Sequence, residues 1–136
     1  MPSRITLDTN VIVSALISPG TSRQVLELAR SGAVTLVLSC FILDETADVL
    51  RAKMGWDEGM IRTALRMIKG FSTLVVSEES LSVVTEDEPD NRIVECAVAG
   101  QAHFLVSGDK HILSLGEYRG IRFLPPRDLL ETLRKK

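Results

Sequence analysis

The chain lacks the features on which several common kinds of protein depend. No apolar run is long enough to cross a bilayer, since the longest, Val34 to Leu43, is interrupted by Thr35 and Ser39. Asp8 interrupts the N-terminal segment too early for the unbroken apolar core that a secretory signal needs, so we expect a cytoplasmic protein. The chain has no glycine-rich phosphate loop, and its two histidines are unsuited to a zinc site.

Cysteine is scarce as well. Cys40 and Cys96 are far apart, form no CxxC pair and lie among apolar neighbours. This arrangement favours two free thiols packed in a reduced interior over a disulfide. The cysteines therefore indicate little about function.

The size and charge of the chain leave its partners open. With 136 residues, of which 45% are apolar and 25% charged, we expect one globular domain over residues 1–136. The formal net charge of -2 would ordinarily count against a nucleic-acid partner. If four of the 18 acidic residues hold a metal ion, however, 14 remain against 16 basic ones, so the charge excludes neither reading.

Short β-rich runs alternate with helical patterns along the chain. This alternation predicts an α/β fold, a three-layer α/β/α sandwich with a mostly parallel central sheet of about five strands. The predicted strands are Arg4–Leu7, Val34–Leu38, Thr73–Val76, His103–Val106 and Ile121–Leu124. The predicted helices are Val11–Ser18, Ser22–Ser31, Cys40–Lys53, Asp57–Lys69, Asn91–Gly100, Lys110–Leu115 and Arg127–Arg134.

Two aspartates follow predicted strands directly. Asp8 comes after the first strand, and Asp109 follows the strand His103–Val106 through Ser107-Gly108. Ligands of open parallel sheets bind beyond the carboxyl ends of the strands, where we expect both side chains. Each aspartate also suits a helix N-cap, which taken alone is the simpler interpretation.

Glu45 differs from its acidic neighbours in the face of the helix it occupies. Asp44, Asp48 and Arg51 share an outer face, whereas Glu45 lies one turn from both Ile42 and Val49, at the border of the buried face. A glutamate at that border is either a ligand or a side chain that snorkels from the rim of the core. The spacing supports both interpretations.

A third acidic segment precedes the predicted helix Asn91–Gly100. It holds Asp87, Glu88 and Asp90, which are more acids than capping requires. Asp90 is closest to the apolar face of the helix, while Asp87 competes with it as a cap, a supporting group or a ligand. Glu95, further along the helix, is expected on the solvated surface, and the alternative is that it reaches back toward the site.

Acids from four separate segments thus lie where a strand gives way to a helix. Carboxylates gathered in one pocket repel one another and would partly protonate unless a cation neutralised them. Such a cluster without paired arginines predicts a bound divalent ion. The four acids are Asp8, Glu45, Asp90 and Asp109.

On these residues the chain resembles the PIN domain family, which includes VapC-type toxin ribonucleases. The resemblance covers nearly the whole chain. It is carried by Ile5-Thr6-Leu7-Asp8-Thr9-Asn10, the segment Ser39–Leu50 with Glu45, the stretch Asp87–Ala97, and Val106-Ser107-Gly108-Asp109-Lys110 followed by Ile112-Leu113.

The resemblance implies a divalent-metal-dependent ribonuclease. Mg²⁺ or Mn²⁺ would be held by the four acids and water, and a metal-activated water would hydrolyse RNA phosphodiester bonds. Supporting roles are implied for Thr9, Asn10, Asp87 and Ser107. An antitoxin partner and a homodimer are implied as well.

The predicted hairpin of Cys40–Lys53 and Asp57–Lys69 resembles the element through which toxins of this family hold an antitoxin. Trp56, Met60 and Met67 are its exposed apolar candidates, and the simpler interpretation is that they complete the core.

Two other functions fit parts of the pattern. A non-catalytic nucleic-acid-binding or regulatory module of the same fold would use the acids as caps. A phosphoacceptor domain with Asp8 as nucleophile fits less well, because Thr9-Asn10 supplies no second carboxylate.

Overall fold

A computed structural model describes residues 2–84 and 88–135. Its centre is a six-stranded sheet in the order β3-β2-β1-β4-β6-β5, in which all neighbours are parallel except β5 and β6. The strands are β1 (Ser3–Leu7), β2 (Val34–Leu38), β3 (Ser72–Leu74), β4 (Phe104–Val106), β5 (Glu117–Tyr118) and β6 (Ile121–Leu124). The α/β class and the mostly parallel sheet are confirmed.

Helices flank this sheet, and their ends follow the punctuation of the sequence. Ser39 and Asp57 cap two of them by accepting hydrogen bonds from backbone amides, while Pro125 and Pro126 begin the last. The helices are α1 (Thr9–Ile17), α2 (Thr21–Arg30), α3 (Cys40–Ala52), α4 (Glu58–Gly70), α5 (Glu88–Ala99), α6 (Lys110–Leu113) and α7 (Pro126–Arg134).

The sixth strand was not predicted from the sequence. β5 has two residues and pairs antiparallel with β6 through a turn at Arg119 and Gly120, which both have positive φ. Glycine adopts this backbone conformation without steric cost. Two residues are too few to show an alternating pattern, which is why sequence periodicity predicts only five strands.

The strand order brings β1 and β4 together, although nearly a hundred residues separate them. β2 lies on one side of β1 and β4 on the other, with Leu7 opposite Val106. The amide of Asp8 continues this ladder by donating to the Val106 carbonyl at 3.0 Å. The connections that leave β1 and β4 thus run toward opposite edges of the sheet. In parallel sheets, a crevice opens at the carboxyl ends of the two strands where the strand order reverses in this way.

Helix α5 packs closely on the sheet because its C-terminal boundary is glycine. A Cβ at Gly100 would lie 2.0 Å from Cγ1 of Val37 on β2, so any side chain there would force the helix away from the strand. The predicted helix end at Gly100 is confirmed, since α5 ends at Ala99. This contact helps to set the height of α5 over the sheet.

The α3–α4 hairpin has a small apolar cluster of its own. Leu50 and Ile61 are buried together with Val13 of α1, and Trp56 packs against them. Met60 and Met67 are instead 48% and 44% exposed, so the prediction that they complete the core was wrong. Helical periodicity identifies the buried stripe of α4 but does not determine how far a neighbouring element covers its edge.

Both cysteines are free, as predicted, but only Cys96 is buried. Burial raises the pKa of the Cys96 thiol to about 11. Cys40 is exposed in the first turn of α3, so its predicted interior position was wrong. None of the helices in the described ranges is long and apolar enough to span a membrane.

Candidate active site

A cavity of about 230 Å³ opens at the carboxyl ends of β1 and β4. Its wall includes all four acids singled out in the sequence, although they come from four separate segments. We call it the acidic cavity; it is lined by Asp8, Thr9, Asn10, Glu45, Val49, Lys53, Pro89, Asp90, Ile93 and Asp109.

Asp8 caps a helix and faces the cavity at the same time. Its Oδ1 accepts a hydrogen bond from the Val11 amide at 2.9 Å, which confirms the predicted N-cap of α1. Its Oδ2 accepts a hydrogen bond from the Ser107 hydroxyl. With 3% of its surface exposed, the side chain is held in one position by both contacts.

Ser107 joins the two strand-end aspartates. Besides donating to Asp8, its hydroxyl oxygen accepts a hydrogen bond from the Asp109 amide at 2.9 Å. Asp109 Oδ1 accepts from the amides of His111 and Ile112 at 2.7 and 3.4 Å, so the predicted cap is confirmed here too. For both aspartates, capping and a place in the cavity wall are compatible, because a carboxylate has two oxygens.

Glu45 reaches the cavity from α3. Its Oε1 accepts a hydrogen bond from the Thr9 hydroxyl, and Thr9 is buried at the start of α1. The sequence placed Glu45 at the border of the buried face, and its partly exposed side chain agrees with that prediction. The partner that the border position required is a hydroxyl from a different helix.

Asp90 lies in the first turn of α5 and is buried. Pro89 and Ile93 line the same cavity, as does the exposed Asn10. Asp87, which competed with Asp90 in the sequence, lies outside the described residues. Among the described residues of the Asp87–Asp90 segment, Asp90 is the acid that lines the acidic cavity.

Glu95 is not on the solvated surface, contrary to the sequence-based expectation. It is 6% exposed, accepts a hydrogen bond from the Leu81 amide at 2.7 Å and pairs with Arg92 at 2.7 Å. Asn91 holds the same segment by exchanging two hydrogen bonds with the Val84 backbone. Residues 81–84 cover this face of α5, a tertiary contact that α5's own sequence does not reveal.

Among the described residues of the cavity wall, Lys53 is the basic one, and it was not predicted from the sequence. Glu45, Val49 and Lys53 lie at i, i+4 and i+8 on α3, so they form one stripe along the helix. Once Glu45 is a candidate, this spacing is the signal that would have identified Lys53.

The electrostatics of the cavity favour a cation. Burial raises the pKa of the Asp8 carboxyl, the charges of Asp109 and Glu45 raise it further, and the hydrogen bonds from Ser107 and the Val11 amide oppose these effects. A cation among these carboxylates would stabilise their charged forms. The electrostatic cost of gathering them would then fall.

The chemistry of the donors fits a hard divalent ion. The described lining residues offer carboxylate, amide and hydroxyl oxygens, with neither imidazole nor thiolate among them. Within residues 2–84 and 88–135, no three acidic, histidine or cysteine side chains are gathered closely enough to form a complete metal-binding group. Mg²⁺ tolerates such a site because it keeps several waters and uses one or two carboxylates.

Two solved structures share the fold. The structure of VapBC2 from Rickettsia felis, bound to a DNA fragment from their promoter, aligns with a TM-score of 0.62 at 19% identity and covers 88% of this chain and 96% of that one. The structure of PAE2754 from Pyrobaculum aerophilum aligns with a TM-score of 0.67 at 12% identity and covers 98% of this chain and 91% of that one.

The chain is also similar in sequence to one curated protein and to one family model. The uncharacterized protein MJ1680 of Methanocaldococcus jannaschii is 29% identical over 116 residues, which are 82% of this chain and 74% of that protein. The family model described as "PIN domain" matches residues 4–111, a range that contains all four acids of the cavity. This match spans well over half of the chain, so the chain belongs to the PIN domain family.

Proposed function

We propose that residues 1–136 form one PIN-like domain that acts as a divalent-metal-dependent ribonuclease and hydrolyses RNA phosphodiester bonds through a metal-activated water. The supporting observation is that Asp8, Glu45, Asp90 and Asp109, from four distant segments, line one cavity at the carboxyl edge of the sheet. Membership of the PIN domain family supports the same chemistry.

In this proposal the four acids hold Mg²⁺ or Mn²⁺ together with coordinated waters, so the ion does not need direct contact with every carboxylate. When bound, the ion lowers the pKa of a coordinated water and stabilises negative charge on the phosphodiester. Ser107 and Thr9 are positioning residues, because their hydroxyls hold carboxylate oxygens of Asp8 and Glu45. Such hydroxyl contacts restrict the rotamers of metal-binding carboxylates. Asp87 and Asn10 are further supporting candidates, Asn10 as an exposed polar group on the rim.

The likeness to VapBC2 supports a proposal about the biological role of the chain. We propose that the chain is the toxin of a toxin–antitoxin pair, acting on cytoplasmic RNA as a homodimer and held inactive by an antitoxin protein. The exposed Met60 and Met67 of the α3–α4 hairpin are candidates for that contact. Expression of the native chain should arrest the growth of a bacterial host, whereas a host that expresses Asp8→Asn should grow normally. Equal growth of the two cultures would contradict the toxin role.

Matched substitutions of cap residues test the ribonuclease directly. Asp8→Asn and Asp109→Asn keep a capping oxygen but remove the charge, so the fold should survive while cleavage of single-stranded RNA with Mg²⁺ or Mn²⁺ falls at least about 100-fold. Asp57→Asn is the control, because Asp57 caps α4 at 2.8 Å through the Met60 amide and does not line the cavity. Equal cleavage by all four proteins would refute the proposal.

The caps themselves favour one alternative, a non-catalytic nucleic-acid-binding or regulatory module. Asp8 and Asp109 already satisfy helix amides, and a purely structural role requires no metal. Calorimetric titration with Mn²⁺ separates the two functions. Saturable binding that Asp90→Asn weakens supports the ribonuclease, and its absence in the native chain supports the module.

A further inference from the structure

Lys53 combines a basic side chain with a place in the wall of the acidic cavity. It is the C-cap of α3, where its amide donates to the Val49 carbonyl at 2.9 Å, and its side chain is exposed. The described lining residues otherwise carry either negative charge or none. The cavity therefore has one positively charged position on a negative wall.

The ammonium group of Lys53 is not used by the surface ion pairs of the same hairpin. Two residues earlier, Arg51 pairs with Asp48 at 3.1 Å and with Glu58 at 2.6 Å. Lys53 forms no salt bridge with any residue in 2–84 or 88–135, although four carboxylates share its cavity. Its charge is thus not committed to the fold.

A substrate phosphate needs such a charge. An RNA phosphodiester is an anion, and it would have to approach four carboxylates of which one divalent ion offsets about two charges. A cation on the wall lowers this repulsion and provides a hydrogen-bond donor to phosphate oxygen. Lys53 lies on the cavity wall at the end of a helix stripe that begins at Glu45, which places it beside the proposed catalytic site.

We propose that Lys53 is a substrate-binding residue whose ammonium group pairs with a backbone phosphate of the RNA that enters the acidic cavity. This inference rests on the proposed ribonuclease function. A phosphate contact carries no base information, so Lys53 should contribute equally to RNAs of different sequence. Its other plausible role is purely structural, since a lysine at a helix C-terminus interacts favourably with the helix dipole.

Three substitutions separate substrate binding from that structural role. Lys53→Met removes the charge and keeps most of the apolar stem, while Lys53→Arg keeps the charge. Lys135→Met is the matched control, because Lys135 is also an exposed helix C-cap, at the end of α7, and does not line the cavity. All three should fold, and all should bind Mn²⁺ at least as well as the native chain.

With RNA and Mn²⁺, Lys53→Met should raise KM about tenfold and change kcat much less, as expected for the loss of one charged hydrogen bond to the substrate. Lys53→Arg should restore most of the native KM. A KM that stays native in Lys53→Met, or that rises equally in Lys135→Met, would overturn the inference.

RNA binding without cleavage keeps this inference distinct from the proposed function. In an Asp109→Asn background, fluorescence anisotropy with labelled single-stranded RNA should show weaker binding for Lys53→Met. The slope of log affinity against log salt should fall by about 0.7 for the one lost phosphate contact. An unchanged slope rejects the role of Lys53. Absence of cleavage by the native chain, with a changed slope, rejects the ribonuclease but not the phosphate contact.

Discussion

Helix α3 carries charged residues on two faces, and the two faces use them differently. On the outer face, Arg51 pairs with Asp48 and with Glu58 of α4. On the inner face, Glu45 and Lys53 line the acidic cavity, and Glu45 is held by the hydroxyl of Thr9. On α3, an acid that pairs with a guanidinium lies on the surface, whereas Glu45 at the cavity is held by a neutral hydroxyl donor.

The same contrast extends to protonation. The hydrogen bond from Arg51 lowers the pKa of the Glu58 carboxyl, an effect of an exposed ion pair. Burial raises the pKa of the Asp8 carboxyl, and neighbouring acids raise it further. The exposed ion pair therefore favours the charged form of Glu58, whereas burial and neighbouring acids disfavour the charged form of Asp8, an effect that a bound cation would offset.

Replacing a carboxylate by an amide on each face of α3 should give the largest difference in RNA cleavage. Glu45→Gln keeps the acceptor for Thr9 but removes a proposed metal-binding charge, so RNA cleavage should fall by about 100-fold. Asp48→Asn on the outer face should leave cleavage unchanged. Metal-dependent cleavage assays of both variants at equal protein concentration check this, and similar activity in the two would remove the distinction between the faces.

Removing the hydroxyl that holds Glu45 should have an intermediate effect. Thr9→Val retains the shape of the side chain but leaves Oε1 of Glu45 without this donor, so we expect about a tenfold loss in Mn²⁺ affinity or activity. Thr63→Val is a suitable control, since the Thr63 hydroxyl donates to the Gly59 carbonyl on exposed α4. If the control loses as much as Thr9→Val, the contact with Glu45 has no special role.

Breaking the outer ion pairs should have the smallest effect, on stability alone. Because its folded-state pKa is lowered, Glu58 contributes stability above its unfolded-state pKa and loses it as pH falls through the folded-state value. Arg51→Met should therefore lower the urea midpoint slightly at pH 7, and less at high salt or at a pH below the folded-state pKa of Glu58. RNA cleavage should stay native. A large loss of activity would connect the outer face to the site.

Much of the fold followed from local patterns. Strands β2 and β6 have their predicted bounds, and Asp8 and Asp109 follow strands as expected. The wrong predictions for Glu95 and Met60 share one cause. Glu95 is buried because residues 81–84 fold back over α5. Met60 is exposed because its edge of α4 stays uncovered. Such contacts join distant parts of the chain, so local periodicity does not contain them.

The amino-acid sequence by itself determined the type and approximate bounds of the elements, because hydrophobic periodicity, glycine, proline and capping residues act within a few neighbours. It also determined that acids follow strands. Only the tertiary structure decided which of those acids meet, since the order of strands in the sheet is set by pairing across the chain. The hydrogen bond from Ser107 to Asp8 joins residues 99 positions apart, and it exists because β4 pairs with β1.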